Sequence, residues 1–140
     1  MGILSTNRLY GDVKNPYDKS TVPGGSSGGS AVAVSTRTVT FSLGSDTAGS
    51  MRVPAALCGC VGFRPTTHLY SQEGVVPLCS TMDTIGVFAN RVEDVIKIHK
   101  IIVENKSKEP SLVNIKIGVP RTYFYENADK ECVKLVEKVF

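Results

Sequence analysis

Two segments rich in glycine and serine, residues 24–30 (GGSSGGS) and residues 44–50 (GSDTAGS), flank one predicted strand. Glycines allow backbone conformations that are closed to other residues, so such segments present N–H groups and hydroxyls to a ligand. Three interpretations compete: a phosphate-binding loop, plain turn structure, and a serine nucleophile beside an oxyanion hole. The phosphate loop is disfavoured because the lysine that normally follows its last glycine is missing. Residues 24–30 taken alone are also compatible with a turn.

The second segment favours the serine chemistry. Small residues precede Ser50 at the start of a predicted helical turn, and successive N–H groups there can bind a carbonyl oxygen as it becomes negative. A lone serine is a poor nucleophile and needs an adjacent base. His99 falls on the buried face of a predicted helix, and His68 lies in a loop with no aspartate at a suitable spacing. The sequence therefore does not support a Ser–His–Asp triad.

The composition narrows the function classes. The chain has 140 residues, 41% of them hydrophobic, and a formal net charge of +3, which is too small to suggest nucleic-acid binding. No apolar stretch approaches the roughly 20 residues of a membrane span, so no membrane partner is expected. The cysteines lack a zinc-binding spacing, which predicts reduced thiols, no metal and a cytoplasmic location. The four cysteines are Cys58, Cys60, Cys79 and Cys132.

The pattern along the first 60 residues predicts loop, helix, strand and helix in turn. Residues 1–25 read as loop, and residues 31–34 as a short apolar helix. Alternating apolar and hydroxylated residues predict a half-buried strand over Thr38–Leu43 that ends at Gly44. Pro54 fits only in the first turn of a helix, which we therefore expect to begin at Ser50.

The remainder predicts short strands, two longer helices and a connecting strand. The breaks expected within residues 58–90 are Pro65, Gly74, Pro77 and Gly86. Residues 91–103 form the clearest amphipathic helix, residues 105–114 a polar connection, and residues 115–119 a strand. A second amphipathic helix is predicted over residues 129–140. Its expected inward-facing residues are Cys132, Val136, Val139 and Phe140. The alternation of strands and helices predicts an α/β fold, a sheet layered with helices.

Residues 23–30 and 43–55, continued by residues 58–66, resemble the amidase signature family. Residues 74–77 and 83–86 are similar to later motifs of that family. The resemblance runs from about residue 2 to 97 and more weakly over 115–140. It implies that residues 1–140 are a partial amidase domain whose mixed twisted sheet is truncated at both ends. Residues 1–97 would form a central catalytic segment and residues 98–140 a peripheral one.

The resemblance also implies roles for individual residues in a Ser–Ser–Lys triad. Ser50 would be the nucleophile and Ser26 the bridging serine, preceded by a cis peptide bond to Gly25. The implied donors of the oxyanion hole are the N–H groups of Thr47, Ala48, Gly49 and Ser50. The residues expected to support the site structurally are Gly25, Ser27, Asp46 and Arg52, the last two as a charge pair or loop anchor.

The family's lysine lies upstream of its bridging serine, and this chain begins too late to contain it. Lys14 and Lys19 stand in a loop rich in proline and asparagine, which is the wrong context. We therefore expect a fragment that hydrolyses amides barely or not at all by itself. It would act as a homo-oligomer or with the missing remainder of the amidase, and the alternative is a non-catalytic pseudoenzyme or interaction fragment.

The implied reaction is hydrolysis of an amide C–N bond through an acyl-enzyme, with a small-molecule amide as substrate and no cofactor. Ammonia or an amine and a carboxylic acid are the products. Residues 54–59, 62–66, 81–86 and 122–125 are similar to the indoleacetamide-hydrolase branch, and residues 53–55 with 74–79 to the allophanate hydrolases. The amidase subunit of glutamyl-tRNA amidotransferase complexes shares the same core motifs. Three aromatic residues could line the substrate pocket or simply pack: Tyr70, Phe124 and Tyr125.

Overall fold

The computed structural model describes residues 2–104, 113 and 115–139. The chain divides into two compact units, Met1–Lys108 and Glu109–Phe140. No helix among the described residues is long and apolar enough to cross a membrane. The described part of the first unit contains both serine segments, a small sheet and three helices. Its mixture of strands and helices confirms the α/β class predicted from the sequence.

The first helix, α1, spans Gly28–Ser35 and confirms the predicted apolar helix, which proves slightly longer than expected. Residues 2–27 form no helix or strand, as predicted. Ala31 and Val34 are fully buried in α1, and the Ser35 hydroxyl donates to the carbonyl oxygen of Cys58 at 2.6 Å. Burial of these apolar side chains fixes α1, and with it the serine segment that leads into it.

The sheet has three strands in the order β1-β3-β2: β1 Phe41–Asp46, β2 Val61–Phe63 and β3 Thr84–Ala89. Both ladders are antiparallel, with β3 in the centre. Strand β3 is almost wholly buried, as its continuous apolar run from Val87 to Ala89 requires. The register places Asp46 at the end of β1 directly opposite Thr84 at the start of β3.

Two glycines that the sequence suggested as breaks lie inside strands instead. Strand β1 starts at Phe41 rather than at residue 38 and continues through Gly44, which pairs with Gly86 in β3. A Cβ on Gly44 would lie 2.6 Å from Cε2 of Phe88, and a Cβ on Gly86 would lie 2.2 Å from the carbonyl oxygen of Phe63. Both predictions were wrong because these glycines make room for close packing and do not end the strands.

Two further helices pack on this sheet: α2 Arg52–Leu57 and α3 Val92–Ile102. Both confirm the predicted helices, and Pro54 lies in the first turn of α2 as expected. The core between α1, α2 and the sheet is a single apolar cluster. Its buried members are Ala31, Val34, Met51, Ala55, Cys58 and Phe88.

Among its described residues, the second unit holds one helix, α4 Lys130–Glu137. The Asp129 carboxylate caps its first turn by accepting the N–H of Glu131 at 2.8 Å. The strand predicted over residues 115–119 is absent, because no described strand pairs with that segment. The face predicted to point inward is also exposed: Val136 is 49% and Val139 81% exposed. Phe140 and nearly all of the predicted connection at 105–114 lie outside the described residues.

Candidate active site

The fold brings the two serine segments into direct contact. The backbone N–H of Ser27 donates to the carbonyl oxygen of Ser50 at 3.1 Å. The Ser27 hydroxyl and the backbone of Ser45 also face each other, with the hydroxyl 3.2 Å from both the carbonyl oxygen and the nitrogen of Ser45. Ser27 therefore ties the loop before α1 to the end of β1. Ser26, its neighbour, lines the same cleft as Ser50.

The cleft at these serines has a volume of about 340 Å³. Ala48, Gly49 and Ser50 form one wall, and Gly25 and Ser26 form another. A second, narrower cleft also contains Ser26 and Ser50, together with Gln72, Val75 and Val76. Leu78 lines both clefts. Ser26 and Ser50 therefore both line a space that has mainly apolar side chains on the side of residues 75–78.

The peptide bond between Gly25 and Ser26 is cis, as the family resemblance implies. The segment at residues 2–5 packs closely on this turn: a Cβ on Gly25 would lie 2.3 Å from the carbonyl oxygen of Gly2. The Ser5 hydroxyl donates to the carbonyl oxygen of Gly24 at 2.7 Å. Sequence reasoning missed Ser5, because a serine in an irregular segment gives no signal of its distant partner.

Asp46 is the anchor of the second serine segment. Its carboxylate is fully buried and accepts the N–H groups of Gly49, Met51 and Arg52 at 2.9, 3.1 and 3.4 Å. The Arg52 guanidinium adds contacts from Nε at 3.1 Å and Nη2 at 3.0 Å. The charge pair considered from the sequence is therefore present, and the same carboxylate also folds the backbone around Ser50.

Burial works to raise the pKa of Asp46, but the hydrogen bonds from Arg52 and from the N–H groups of Met51, Gly49 and Arg52 prevail and lower it to about 2. Arg64 contributes a second positive charge, with Nε 3.4 Å from Oδ1 of Asp46. That Nε makes no hydrogen bond, so the contact is an ion pair without hydrogen-bond geometry. Asp46 is thus an anion at neutral pH.

The backbone N–H groups of residues 47–50 fall into two sets. Gly49 donates to Asp46, which differs from the expectation that its N–H would join the oxyanion hole. Its φ of +122° favours glycine at this position. Within the described part of the chain, the N–H groups of Thr47, Ala48 and Ser50 have no protein acceptor. The residues that carry these N–H groups line the clefts at the serines: Thr47 lines the narrower one, Ala48 the wider one and Ser50 both.

Asp83 also contacts the site. In the sequence, only the family resemblance points to its segment. Asp83 is 6% exposed, and its carboxylate accepts the hydroxyl of Thr47. The same carboxylate accepts the N–H groups of Leu78 and Cys79, both at 2.8 Å. The Thr47 hydroxyl holds the pKa of Asp83 below its usual value against the opposing effect of burial, with help from the two N–H groups. The contact joins the segment at residue 47 to the wall at residue 78.

The histidines and the candidate pocket aromatics stay outside this arrangement. His99 accepts or donates a hydrogen bond with the Tyr70 hydroxyl at 2.8 Å and packs edge-on against Phe63. Tyr70 is therefore a buried core residue and lines neither cleft. Phe124 and Tyr125 line an apolar groove within the second unit. Among the described residues no group of histidine, cysteine and acidic side chains could hold a metal ion, and all four cysteines are free.

The model of the amidase family ("Amidase") matches residues 1–140. The chain is 43% identical over 138 residues to an indoleacetamide hydrolase of Rhizobium radiobacter, covering 97% of this chain and 30% of the relative. It is 40% identical over 162 residues to one subunit of the glutamyl-tRNA(Gln) amidotransferase of Legionella pneumophila (strain Corby), covering 99% of this chain and 34% of that protein.

A crystal structure of an amidase superimposes with a TM-score of 0.91 at 36% identity, covering 99% of this chain and 32% of the solved one. The chain thus spans about a third of the length of these relatives. The family match covers the whole chain and includes both serine segments. The chain belongs to the amidase family.

Proposed function

We propose that this chain supplies the nucleophile and the oxyanion hole of a serine amidase. The observation that carries the proposal is that Ser26 and Ser50 share one cleft beside three N–H groups without a protein acceptor. Residues 1–97 are then the catalytic segment, and residues 98–140 a peripheral one. The cytoplasmic location stays a prediction.

In the proposed first step, Oγ of Ser50 attacks the carbonyl carbon of the amide. Its proton passes through the Ser26 hydroxyl to a lysine base, and the N–H groups of Thr47, Ala48 and Ser50 stabilise the negative carbonyl oxygen. Each such donor is worth roughly 3–4 kcal/mol of transition-state stabilisation in a preorganised site. The C–N bond then breaks, and the proton returns to the leaving nitrogen, which departs as ammonia or an amine.

The second step regenerates the enzyme. Water attacks the acyl ester on Ser50 and loses its proton along the same route, and the same N–H groups hold the oxygen again. The ester bond breaks, Ser50 recovers its proton, and a carboxylic acid leaves. One serine and one oxyanion hole therefore serve both halves of the reaction.

The lysine base of the Ser–Ser–Lys scheme is not provided by this chain in our proposal. Lys14 and Lys19, the lysines nearest in sequence to Ser26, are both exposed, and neither lines the clefts at the serines. A lysine acts as a base at neutral pH only where burial or a neighbouring positive charge lowers its pKa. We therefore propose that residues 1–140 alone turn over amides barely or not at all.

A chimera tests both parts of the proposal. The chain replaces the matching 138-residue stretch of the Rhizobium radiobacter relative, and ammonia release from indole-3-acetamide is measured. We expect activity in the chimera, none in the isolated chain, and a loss of roughly 10⁴-fold or more in kcat with Ser50→Ala. Ser26→Ala should also lower kcat, and Ser80→Ala, which removes an exposed serine hydroxyl, serves as the matched control.

Unchanged activity of the Ser50→Ala chimera would show that the nucleophile is another residue. Turnover by the isolated chain that Ser50→Ala abolishes would show that the base lies within residues 1–140. If the unsubstituted chimera and its Ser80→Ala control both fold but show no activity, the alternative of a non-catalytic interaction fragment is favoured.

A second candidate function is the amidase component of a glutamyl-tRNA amidotransferase-like complex, favoured by the 40% identity to a relative that is part of such an enzyme. The side chains at the cleft argue for the first candidate, since Val75, Val76 and Leu78 present apolar surface to the acyl group of a substrate. Comparing kcat/KM for indole-3-acetamide and for glutamine separates the two. A preference for glutamine would favour the amidotransferase component.

A further inference from the structure

We propose that Asp83 is a positioning residue that holds the start of the oxyanion segment, residues 47–50, through the hydroxyl of Thr47. The inference rests on the proposed function of that segment. Asp83 also lines the narrower cleft that contains Ser26 and Ser50, and the role assigned to it here acts through Thr47.

The carboxylates of Asp46 and Asp83 each hold a different half of the oxyanion segment. Asp46 accepts the N–H of Gly49 and those of the two residues after Ser50, so it fixes the second half. Thr47 and Ala48 make no hydrogen bond to Asp46. The bond from the Thr47 hydroxyl to Oδ1 of Asp83 is the hydrogen bond that the described structure provides for this first half.

Asp83 is itself held by several hydrogen bonds, so it can fix the position of the Thr47 hydroxyl. Its backbone N–H donates to the carbonyl oxygen of Cys79 at 2.8 Å, and its carbonyl oxygen accepts Nε2 of Gln72 at 2.5 Å. The next residue, Thr84, begins the central strand β3 opposite Asp46. Oδ2 of Asp83 is occupied by the N–H groups of Leu78 and Cys79, so Oδ1 is the oxygen left to face Thr47.

The direction of the bond is also determined. An ionised carboxylate only accepts hydrogen bonds, so the Thr47 hydroxyl must donate to Asp83. No lysine or arginine of the described chain forms an ion pair with Asp83. Three hydrogen-bond donors compensate its charge instead: the Thr47 hydroxyl and the N–H groups of Leu78 and Cys79. Loss of the Thr47 hydroxyl removes one of the three, and the N–H groups of Thr47 and Ala48 lose the contact that orients them.

A double-mutant cycle in the active chimera tests the coupling. Because a hydrogen bond to a charged group is at stake, we expect Thr47→Val and Asp83→Asn each to lower kcat by about tenfold or more, with a smaller change in KM. The double variant should lose no more than the worse single variant, since both remove one interaction. Thr47→Ser, which keeps the hydroxyl, should recover most of the loss. Thr40→Val, which removes an exposed threonine hydroxyl that makes no hydrogen bond to this loop, is the matched control.

A second readout does not depend on catalysis. In the isolated 140-residue chain, the ¹⁵N order parameter of the Ala48 amide should fall in Thr47→Val from about 0.85 towards 0.6, while that of Val87 in β3 stays unchanged. Thr47→Val leaves the loop bonds of Asp83 intact, so it carries the test even if Asp83→Asn does not fold.

Fully additive losses in the cycle, or an Ala48 amide that stays rigid without the hydroxyl, would overturn the proposal. If instead Ser50→Ala leaves the chimera active, the proposed function fails, whereas the order parameter still decides whether Asp83 positions the segment.

Discussion

Replacing Asp46 by asparagine should destabilise the fold strongly, because no orientation of an amide can substitute for this carboxylate. Oδ2 accepts the N–H groups of Met51 and Arg52 and Nε of Arg52, while Oδ1 accepts the N–H of Gly49 and Nη2 of Arg52. An asparagine NH₂ group placed on either side would face donors only. Arg52 and Arg64 would also lose their negative partner.

The pKa of Asp46 gives the size of the effect. A lowering from the usual 3.8 to about 2 corresponds to about 2–3 kcal/mol of folding free energy, at about 1.4 kcal/mol per pH unit. Because the pKa is lower in the folded chain, this stability is fully present above pH 4 and is lost as the pH falls towards 2. With the facing donors included, we expect Asp46→Asn to cost about 3 kcal/mol at pH 7.

Urea denaturation of the 140-residue chain, followed by circular dichroism at several pH values between 7 and 2, measures this directly. The difference in unfolding free energy between the wild-type chain and Asp46→Asn should be constant above pH 4.5 and shrink below pH 4. Glu73→Gln, the same chemical change on an exposed side chain, is the control. A difference below about 1 kcal/mol at pH 7, or one that does not change between pH 4 and pH 2, would refute the assigned role of Asp46.

Two further predictions concern packing and thiol chemistry. Gly86→Ala should prevent or strongly destabilise folding, because the new Cβ would lie 2.2 Å from the carbonyl oxygen of Phe63, whereas Gly29→Ala in α1 meets nothing within 4 Å and should be neutral or stabilising in thermal denaturation. Burial raises the pKa of Cys60 to about 11, with a smaller contribution from the neighbouring Cys58 thiol. Alkylation at pH 8 followed by mass spectrometry should therefore modify the exposed Cys132 well before Cys60. Stability of Gly86→Ala equal to that of Gly29→Ala, or equal labelling of the two cysteines, would contradict these expectations.

The sequence predicts well those features that depend on local patterns. The helix over residues 91–103 follows from its apolar period, and Pro54 marks the first turn of α2. The pairing of Gly44 with Gly86 was not predictable, since a glycine that ends a strand looks the same as one that admits a neighbouring side chain. The prediction of a strand over residues 115–119 was wrong. Alternation of apolar and polar residues shows which side chains a strand would bury, but it cannot show whether a neighbouring strand is present to pair with it.

At the site, the resemblance to a family supplied Ser26 and Ser50, and the structure brings both to one cleft. The resemblance did not show which backbone N–H groups of residues 47–50 have a protein acceptor and which have none, because that depends on where the Asp46 carboxylate points. The contact between Thr47 and Asp83 spans 36 positions in the chain. No local pattern announces such a contact, because only the pairing of β1 with β3 brings the two residues together.

The proposed nucleophile can be tested most directly by trapping the acyl-enzyme. The active chimera would be mixed with an activated ester of indole-3-acetic acid, quenched in acid within milliseconds, and digested for peptide mass spectrometry. We predict an indole-3-acetyl group on Ser50, present in the parent and in the Ser80→Ala control and absent in Ser50→Ala. Acylation of a different residue, or an unchanged yield of acylated enzyme in Ser50→Ala, would contradict the assignment of Ser50 as the nucleophile.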